Sequence, residues 1–293
     1  MNSDKNTSID KLFESFNTKS LSLKNKTVMA PMTRAFSPNY IPNKEVAAYY
    51  RRRAEGDVGL IITEGTFISH KAANGYENVP AIYGEAALAG WKLVVDEVHA
   101  AGGKIAPQLW HVGSVRKPGV GPDKEAPAYS PSGLYKPGAK NGVAMSQDDI
   151  NEVVASFAQA ALDAKNIGFD AIEVHGAHGY LVDQFFWEGT NERDDQYGGT
   201  LENRTRFGVE IVKAIRAAVG DDFTIIFRFS QWKQQDYSAK LCQTPAELAT
   251  FLGLLSDAGV DIFHASTRRF WVPEFEGSDL NLAGWTKKLT NKP

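Results

Sequence analysis

The chain has 293 residues, which is enough for one large enzyme-sized domain. Hydrophobic residues make up 43% and charged residues 23%, proportions that are typical of a globular protein and exclude a disordered or collagen-like chain. The net charge of −3 excludes broad electrostatic attraction to nucleic acid or to an anionic membrane, so a small molecule is the expected partner.

Cysteine usage and the N-terminus bear on the compartment. Cys242 is the only cysteine, so an internal disulfide is excluded and a free thiol is expected, although pairing between two chains stays open. Residues 1–8 are polar and lack the apolar stretch of a leader, and no run of 18 apolar residues occurs. We therefore expect a soluble cytoplasmic protein, while its oligomeric state stays open.

Short apolar runs rich in Val, Ile and Phe alternate with segments of helical periodicity. The runs predict strands at residues 27–30, 58–63, 104–110, 170–175, 223–229 and 260–265. The periodic segments predict helices at residues 44–56, 87–102, 147–168, 201–220 and 245–259, each of which ends at glycine, and a shorter helix at 281–289. Ser146 and Thr244-Pro245 are typical helix starts. Alternating apolar strands and helices indicate a parallel sheet covered by helices, either a barrel or a doubly wound sheet.

Two segments between these elements have a different character. Residues 112–144 are rich in Pro, Gly, Ser and Lys and lack helical periodicity, which predicts a long loop or lid excursion after the third strand. Residues 17–26 contain alternating Leu21 and Leu23, which predicts a hairpin that could plug the bottom of a barrel.

The predicted strand ends carry the polar groups on which a site could be built, because the active site of an α/β barrel lies at the C-terminal ends of its strands. These ends are Ala30-Pro-Met-Thr-Arg34, Thr63-Glu-Gly65, Gln108-Leu-Trp-His111, Glu173-Val-His-Gly-Ala-His-Gly-Tyr180, Arg228 and His264. Gln108 offers a donor and an acceptor, Thr33 a hydroxyl and Arg228 a positive fork. This set suits a flat heterocycle with imide edges, such as an isoalloxazine ring. The alternative for Arg228 is an ion pair with Glu173 inside the barrel.

Proton-handling groups are concentrated after the fourth predicted strand, at His175, His178 and Tyr180. The imidazoles could donate hydrogen bonds to a substrate carbonyl or nitro oxygen, and Tyr180 could deliver a proton to the adjacent carbon. The alternatives are that His175 is a core histidine and Tyr180 a rim aromatic. A metal site at His175 and His178 lacks a following Glu base and an obvious third ligand, so we expect no metal.

Together with two later motifs, these segments resemble the Old Yellow Enzyme family of FMN-dependent NADH and NADPH oxidoreductases. The segments occur in family order along almost the whole chain, with Glu64-Gly-Thr66, Asn191-Glu-Arg-Asp-Asp-Gln-Tyr-Gly-Gly199 and Glu202-Asn-Arg204 among them. The resemblance implies a TIM (β/α)8-type barrel, with residues 1–293 forming a single FMN-binding domain.

The resemblance also implies a cofactor, a reaction and residue roles. FMN would be contacted by six residues, Pro31, Met32, Thr33, Gly65, Gln108 and Arg228. His175 and His178 would anchor the substrate and Tyr180 would donate the proton, with Tyr76, Trp110 and Trp271 as pocket walls; core packing stays the alternative for these aromatics. NADPH or NADH would reduce FMN in a ping-pong hydride transfer to α,β-unsaturated carbonyls, nitroalkenes or nitrate esters. The chain has no Gly-x-Gly-x-x-Gly fingerprint of a separate dinucleotide-binding unit.

The sequence departs from the family pattern at its end. A complete barrel has eight strands, and six are predicted here, so the expectation is a barrel lacking the last two β/α units, whose loops hold the FMN phosphate in the family. A shortened sequence, a truncated gene product or completion by a partner chain would each account for this. A non-catalytic barrel remnant that does not hold flavin is therefore the rival function. An aldolase-like barrel is disfavoured because no lysine ends a predicted inward strand.

Overall fold

The computed structural model describes residues 9–293, which form a curved parallel sheet with helices packed on its outer face. The expectation that the N-terminus carries no leader rests on residues 1–8, which lie outside the described residues. The strands, in chain order, are β1 (Phe16–Asn17), β2 (Ser22–Leu23), β3 (Val28–Met29), β4 (Leu60–Phe67), β5 (Ile105–Trp110), β6 (Tyr129–Ser130), β7 (Leu134–Lys136), β8 (Ala139–Lys140), β9 (Val143–Ala144), β10 (Ala171–His178), β11 (Thr224–Lys233) and β12 (Ile262–Ser266). The α-helices are α1 (Lys44–Glu55), α2 (Glu85–Ala100), α3 (Gln147–Asn166), α4 (Leu181–Phe186), α5 (Leu201–Val219), α6 (Pro245–Ala258) and α7 (Leu282–Thr290).

The order of strands in the sheet decides between the two architectures that the sequence left open. The order is β12-β11-β10-β5-β4-β3, and every neighbouring pair is parallel. Each of these strands therefore lies beside the one that precedes it in the sheet along the chain. A doubly wound sheet has a point at which the order reverses, and this sheet has none. The topology is that of a TIM barrel, of which the described residues supply six strands.

The predicted helices are confirmed, and their starts have the expected chemistry. Ser146 accepts the backbone N–H of Asp149, whose carboxylate accepts the backbone N–H of Ser146 in return. Thr244 and Glu247 form the same reciprocal pair at the start of α6, where Pro245 occupies the first turn. Such capping boxes satisfy N–H groups that the first turn of a helix otherwise leaves unpaired. At the other end of α6, Gly259 adopts a left-handed conformation with φ of 119°.

Period-two alternation along the strands sorts side chains between the outer helices and the barrel interior. At the bottom of the interior, Leu21 and Leu23 of the β1–β2 hairpin pack against inward apolar residues of four strands. These are Leu60 and Ile62 of β4, Ala106 of β5, Ala171 of β10 and Ile226 of β11. The prediction of a hairpin that plugs the barrel bottom is thus confirmed. The layer above these apolar residues is polar, and it forms the floor of the candidate site.

The remaining segments add detail that periodicity did not predict. Residues 112–144 contain short paired strands, β6 with β9 and β7 with β8, and the buried Arg116 donates to the carbonyl of Ala126. Their role as a lid stays a prediction. The short helix α4 follows β10 directly and was not predicted. Cys242 is a buried free thiol, and burial raises its pKa to about 12. Within residues 9–293, no helix is both long and apolar enough to cross a membrane.

Candidate active site

A buried carboxylate organises the polar layer of the barrel interior. Glu173 on β10 is fully buried, and its two oxygens contact side chains from β5 and from β12. The Gln108 side-chain amide donates to Oε1 at 2.8 Å, and Nδ1 of His264 lies 2.7 Å from Oε2. Because its amide nitrogen is committed to Glu173, Gln108 presents a fixed amide at the strand ends.

Arg228 lies beside this layer without joining it. The alternative of an ion pair with Glu173 is wrong, because no salt bridge joins the two residues; among residues 9–293, the carboxylate oxygens have Gln108 and His264 as their partners. The guanidinium makes one long hydrogen bond, from Nη2 to Oγ of Ser266 at 3.4 Å. Its Nε is buried and has no hydrogen-bond partner in the described part of the chain. Burial lowers the pKa of Arg228, while Glu173 opposes that shift.

Most of the predicted site residues line one cavity of about 160 Å³ at the C-terminal ends of the strands. The lining residues are Pro31, Thr33, Gly65, Gln108, Trp110, His175, His178, Tyr180 and Arg228. These residues come from five different strands or from the loops that follow them, so the barrel topology is what brings them together. We expected such convergence from the strand ends, and the structure shows it.

Three other predicted residues lie outside this lining. Tyr76 stacks on Trp110 with ring centroids 5.3 Å apart, and its hydroxyl lies 3.4 Å from that of Tyr180, so it contacts two residues of the cavity wall. Met32 is 48% exposed, although its neighbours Pro31 and Thr33 face the cavity. Trp271 is 67% exposed and packs edge-on against Phe270 in the segment after β12, so it is not a wall of the cavity in this structure.

The two histidines and the tyrosine form one aromatic group over the cavity. The rings of His175 and Tyr180 meet edge-on with centroids 4.9 Å apart, and those of His175 and His178 lie 5.3 Å apart. Trp110 also meets Tyr180 edge-on at 4.9 Å. Nε2 of His178 lies 2.8 Å from Oγ of Ser266. These contacts hold the three side chains against one another and against the same opening.

Burial sets the protonation states of this group. It lowers the pKa of His175 well below the ordinary range and that of His178 to about 3, assisted at both by the positive charge of Arg228. Burial likewise raises the pKa of Tyr180, with a further contribution from Tyr76. At neutral pH both imidazoles are therefore uncharged, each with one N–H to donate, and the phenol keeps its proton. Among residues 9–293, no three His, Cys, Asp or Glu side chains cluster as a metal site requires.

Sequence reasoning missed the far end of β11. The strand was predicted to stop at residue 229, where the apolar run ends, but it continues to Lys233. The observed strand therefore ends in a lysine, although Lys233 does not line the cavity. Lys233 is fully buried and its Nζ lies 2.5 Å from Oδ1 of the equally buried Asp183, so it is engaged in an ion pair. Trp232 stacks on His178 with centroids 4.5 Å apart. Arg228, Ser230 and Trp232 continue the period-two alternation of the strand. Polar residues interrupt the apolar run there, so the run alone did not reveal that the strand continues.

The residues of this cavity fit a flavin ring. A flat heterocycle with imide edges needs donors and acceptors in its plane and a cation near the edge that gains negative charge. Gln108 and Thr33 supply the neutral groups. The partnerless Nε of Arg228 is a buried cationic donor, which a bound group must satisfy if the desolvation cost is to be recovered.

Comparison with known proteins places this geometry in context. Residues 11–271 match the model of the NADH:flavin oxidoreductase / NADH oxidase family. The 12-oxophytodienoate reductase 7 of Oryza sativa subsp. japonica is 40% identical over 224 residues, which cover 72% of this chain and 56% of that protein. A protein of Epichloe festucae var. lolii named "Probable inactive reductase easA" is 38% identical over 255 residues, covering 86% of this chain and 66% of that one.

Solved structures agree with the sequence matches. Morphinone reductase superposes with a TM-score of 0.83 at 36% identity, covering 96% of this chain and 78% of that one. The Old Yellow Enzyme homologue of Zymomonas mobilis gives a TM-score of 0.84 at 28% identity, covering 97% and 81%. The chain thus spans only a little over half the length of the rice reductases that it matches. By its family match, its relatives and its fold, the chain belongs to the NADH:flavin oxidoreductase family that includes Old Yellow Enzyme.

Proposed function

We propose that this protein is an FMN-dependent oxidoreductase that uses NADH or NADPH to reduce activated C=C bonds, in α,β-unsaturated carbonyls or nitroalkenes, or nitrate esters. One observation carries the proposal. His175, His178 and Tyr180 line the same cavity as the flavin-type donor set of Thr33, Gln108 and Arg228. Groups that bind an electron-poor substrate and groups that bind a flavin ring are therefore juxtaposed.

The chain's own residues would hold the cofactor by complementary polarity. When bound, FMN supplies a two-electron carrier that a nicotinamide can reduce and an activated alkene can oxidise, in the ping-pong sequence that we propose. Gln108, fixed by Glu173, offers amide hydrogen bonds to the ring edge, and the Thr33 hydroxyl offers another. Arg228 gives the buried positive charge that favours the anionic reduced ring over the neutral oxidised ring.

The imidazoles and the phenol would act on the substrate. His175 and His178 are uncharged, and we propose that each donates one N–H to the carbonyl or nitro oxygen of the substrate. This polarises the conjugated double bond and stabilises the negative charge that develops on that oxygen. Tyr180 keeps its proton and lies edge-on to His175, so its hydroxyl is available to protonate the neighbouring carbon.

The names of the relatives support this substrate class without identifying a substrate. Several of the rice proteins that are similar to this chain are called 12-oxophytodienoate reductases. One solved relative, morphinone reductase, was determined in complex with tetrahydroNAD, which supports a nicotinamide as the reductant. Adding NADH and NADPH separately decides which of the two reduces the flavin.

A two-step spectroscopic experiment tests the proposal. The purified chain is mixed with FMN, unbound flavin is removed, and the visible spectrum is recorded; NADH or NADPH is then added without oxygen, followed by 2-cyclohexen-1-one. We expect a retained flavin spectrum that bleaches with the nicotinamide and returns with the enone. A spectrum that bleaches but does not return would contradict the proposed substrate class.

The rival proposal is that the protein is non-catalytic and holds no flavin. The relative that is named a probable inactive reductase supports this alternative. The same experiment decides between the two. A colourless protein after removal of free FMN would support the rival. A variant with Arg228→Gln provides the matched control, because it should weaken flavin retention if the cavity is the flavin site and change nothing if coloured protein reflects surface binding.

A further inference from the structure

A fully buried ion pair lies next to the segment that carries His178 and Tyr180, which we assign to the substrate. Lys233 at the end of β11 and Asp183 in α4 both have 0% side-chain exposure, and Nζ lies 2.5 Å from Oδ1. Neither lines the cavity, and the proposed reaction uses neither. A buried ion pair contributes little net stability over a well-packed apolar pair. Stability alone therefore does not explain this pair, and we looked for an effect on the position of neighbouring groups.

The bonds of this pair lead to the backbone between His178 and Tyr180. The second oxygen of Asp183 accepts the backbone N–H of Gly179 at 2.7 Å, and Lys233 is the register partner of His178 in the sheet. Two more bonds come from β11 and the residue after it: Ser230 Oγ accepts the N–H of His178 at 3.0 Å, and the N–H of Gln234 donates to the carbonyl of His178 at 3.2 Å.

The backbone at this point needs such support. His178 has φ of 66° and Gly179 has φ of 79°, so two consecutive residues occupy the left-handed region. That conformation is unfavourable for a histidine and persists only where surrounding bonds hold it. The register of β10 against β11 also shifts between Gly176 and His178, which turns the imidazole of His178 and the phenol of Tyr180 toward one opening.

We infer that Lys233 is a positioning residue, which through its ion pair with Asp183 fixes the backbone of Gly179 and so orients the anchor His178 and the proton donor Tyr180. This inference deepens the proposed function and rests on it. The pair ties the segment that faces the substrate to β11, which also carries Arg228 of the cofactor set. Substrate and cofactor groups thereby share one rigid support.

The test compares three variants of the full chain. Lys233→Met removes the ion pair and leaves Asp183 buried with its charge. The double variant Asp183→Leu with Lys233→Met removes both charges together with the acceptor of the Gly179 N–H, and because it leaves no unpaired buried charge it keeps the experiment interpretable if the single variant does not fold. Lys104→Met is the matched control. Lys104 pairs at 2.7 Å with Asp170, which likewise accepts a backbone N–H, but at the opposite end of the strands.

Three readouts separate positioning from general stability. They are the dissociation constant of FMN, the kcat/KM for 2-cyclohexen-1-one, and the imidazole signals of ¹⁵N-histidine-labelled protein, in which His178 is identified by its loss in His178→Gln. We expect both Lys233 variants to keep wild-type FMN affinity and to shift the His178 signals. We also expect kcat/KM to fall about 10- to 100-fold, the scale of a small misplacement of reacting groups. Lys104→Met should leave all three unchanged.

The inference is overturned if the double variant keeps wild-type kcat/KM and His178 signals. It is equally overturned if FMN affinity falls in step with kcat/KM, because the effect would then be a general loss of structure. Failure of the proposed function looks different. A wild-type chain that does not turn over the enone contradicts that function, while the His178 signals of the variants still report whether the ion pair positions the imidazole.

Discussion

Tyr180 offers the cleanest test of a single residue's role, because phenylalanine preserves its packing. Its ring meets those of Trp110 and His175 edge-on, both with centroids 4.9 Å apart, and Phe can make the same contacts. Only the hydroxyl is lost. We expect Tyr180→Phe to slow reoxidation of the reduced flavin by 2-cyclohexen-1-one by a factor on the order of 10² or more. Stopped-flow absorbance would measure this step apart from flavin reduction by NADPH, which should keep its rate. Equal slowing of both steps would argue against the assignment.

The low pKa of His178 leads us to expect that the folded protein loses stability in acid. Its pKa in the folded protein is about 3, against an ordinary value of 6.5, so the unfolded chain binds more protons between these pH values. The free energy of unfolding therefore falls as the pH drops below 6.5. His178→Gln removes this proton uptake, so the loss of stability between neutral pH and about pH 5 should shrink by about 2 kcal/mol. Urea unfolding at both pH values measures it. Parallel losses in the two proteins would show that His178 ionises normally.

The chemical identity of the site residues could be predicted, whereas their mutual contacts could not. Motif order and strand ends identified Thr33, Gln108, His175 and Tyr180, because a side chain just after a buried strand must face the rim of a barrel. The alternative in which Arg228 pairs with Glu173 was wrong, because Glu173 contacts Gln108 and His264 instead. Which polar groups contact Glu173 depends on distances between strands, and no local pattern in the sequence carries those distances.

The β1–β2 hairpin allows a test at the scale of an element. Leu21 is buried against inward residues of the strands, so removing its side chain leaves a cavity at the bottom of the barrel. We expect Leu21→Ala to lower the free energy of unfolding by about 2–5 kcal/mol. Leu12→Ala, at an exposed position in the same region, should change it by less than about 0.5 kcal/mol. Urea unfolding compares the two. Similar midpoints for both variants would mean that the hairpin does not plug the barrel.

Elements were predicted well where burial and periodicity agree, and poorly where strands continue as polar chain. The ends of α5 and α6 match their glycine signals, since Gly220 and Gly259 have positive φ and such a residue cannot continue a right-handed helix. The strand β11 runs four residues beyond its apolar run, where Ser230 Oγ accepts the N–H of His178 on β10 and Lys233 forms a buried ion pair with Asp183 of α4. Apolar runs alone underestimate a strand that enters an active site.

For the whole molecule, the sequence predicted alternating strands and helices but not how they close. Barrel and doubly wound sheet share the same local patterns and differ in which strand lies beside which. The sequential order of the six strands supplies that information. It also leaves β3 and β12 as the two outer strands of the sheet in the described part of the chain.

The opening between these outer strands leads to a prediction about association. A cleft of about 460 Å³ lies there, with Val28, Leu60, Ile226 and Phe263 among its mostly apolar lining. Val28 is exposed on β3, which has no strand beyond it within residues 9–293. Exposed apolar strand edges favour pairing between chains, and an edge lysine opposes it. We therefore expect the sedimentation coefficient of the chain to rise with protein concentration, and Val28→Lys to weaken that dependence.

Leu93→Lys is the matched control for this experiment, because Leu93 is likewise an apolar and exposed residue, but on the outer helix α2. It adds the same charge far from the opening, so any effect of net charge on solubility appears in both variants. Reduced association in Val28→Lys alone would locate the contact at the β3 edge. Equal behaviour of the two variants, or a wild-type chain that stays monomeric at every concentration, would show that the cleft does not mediate association.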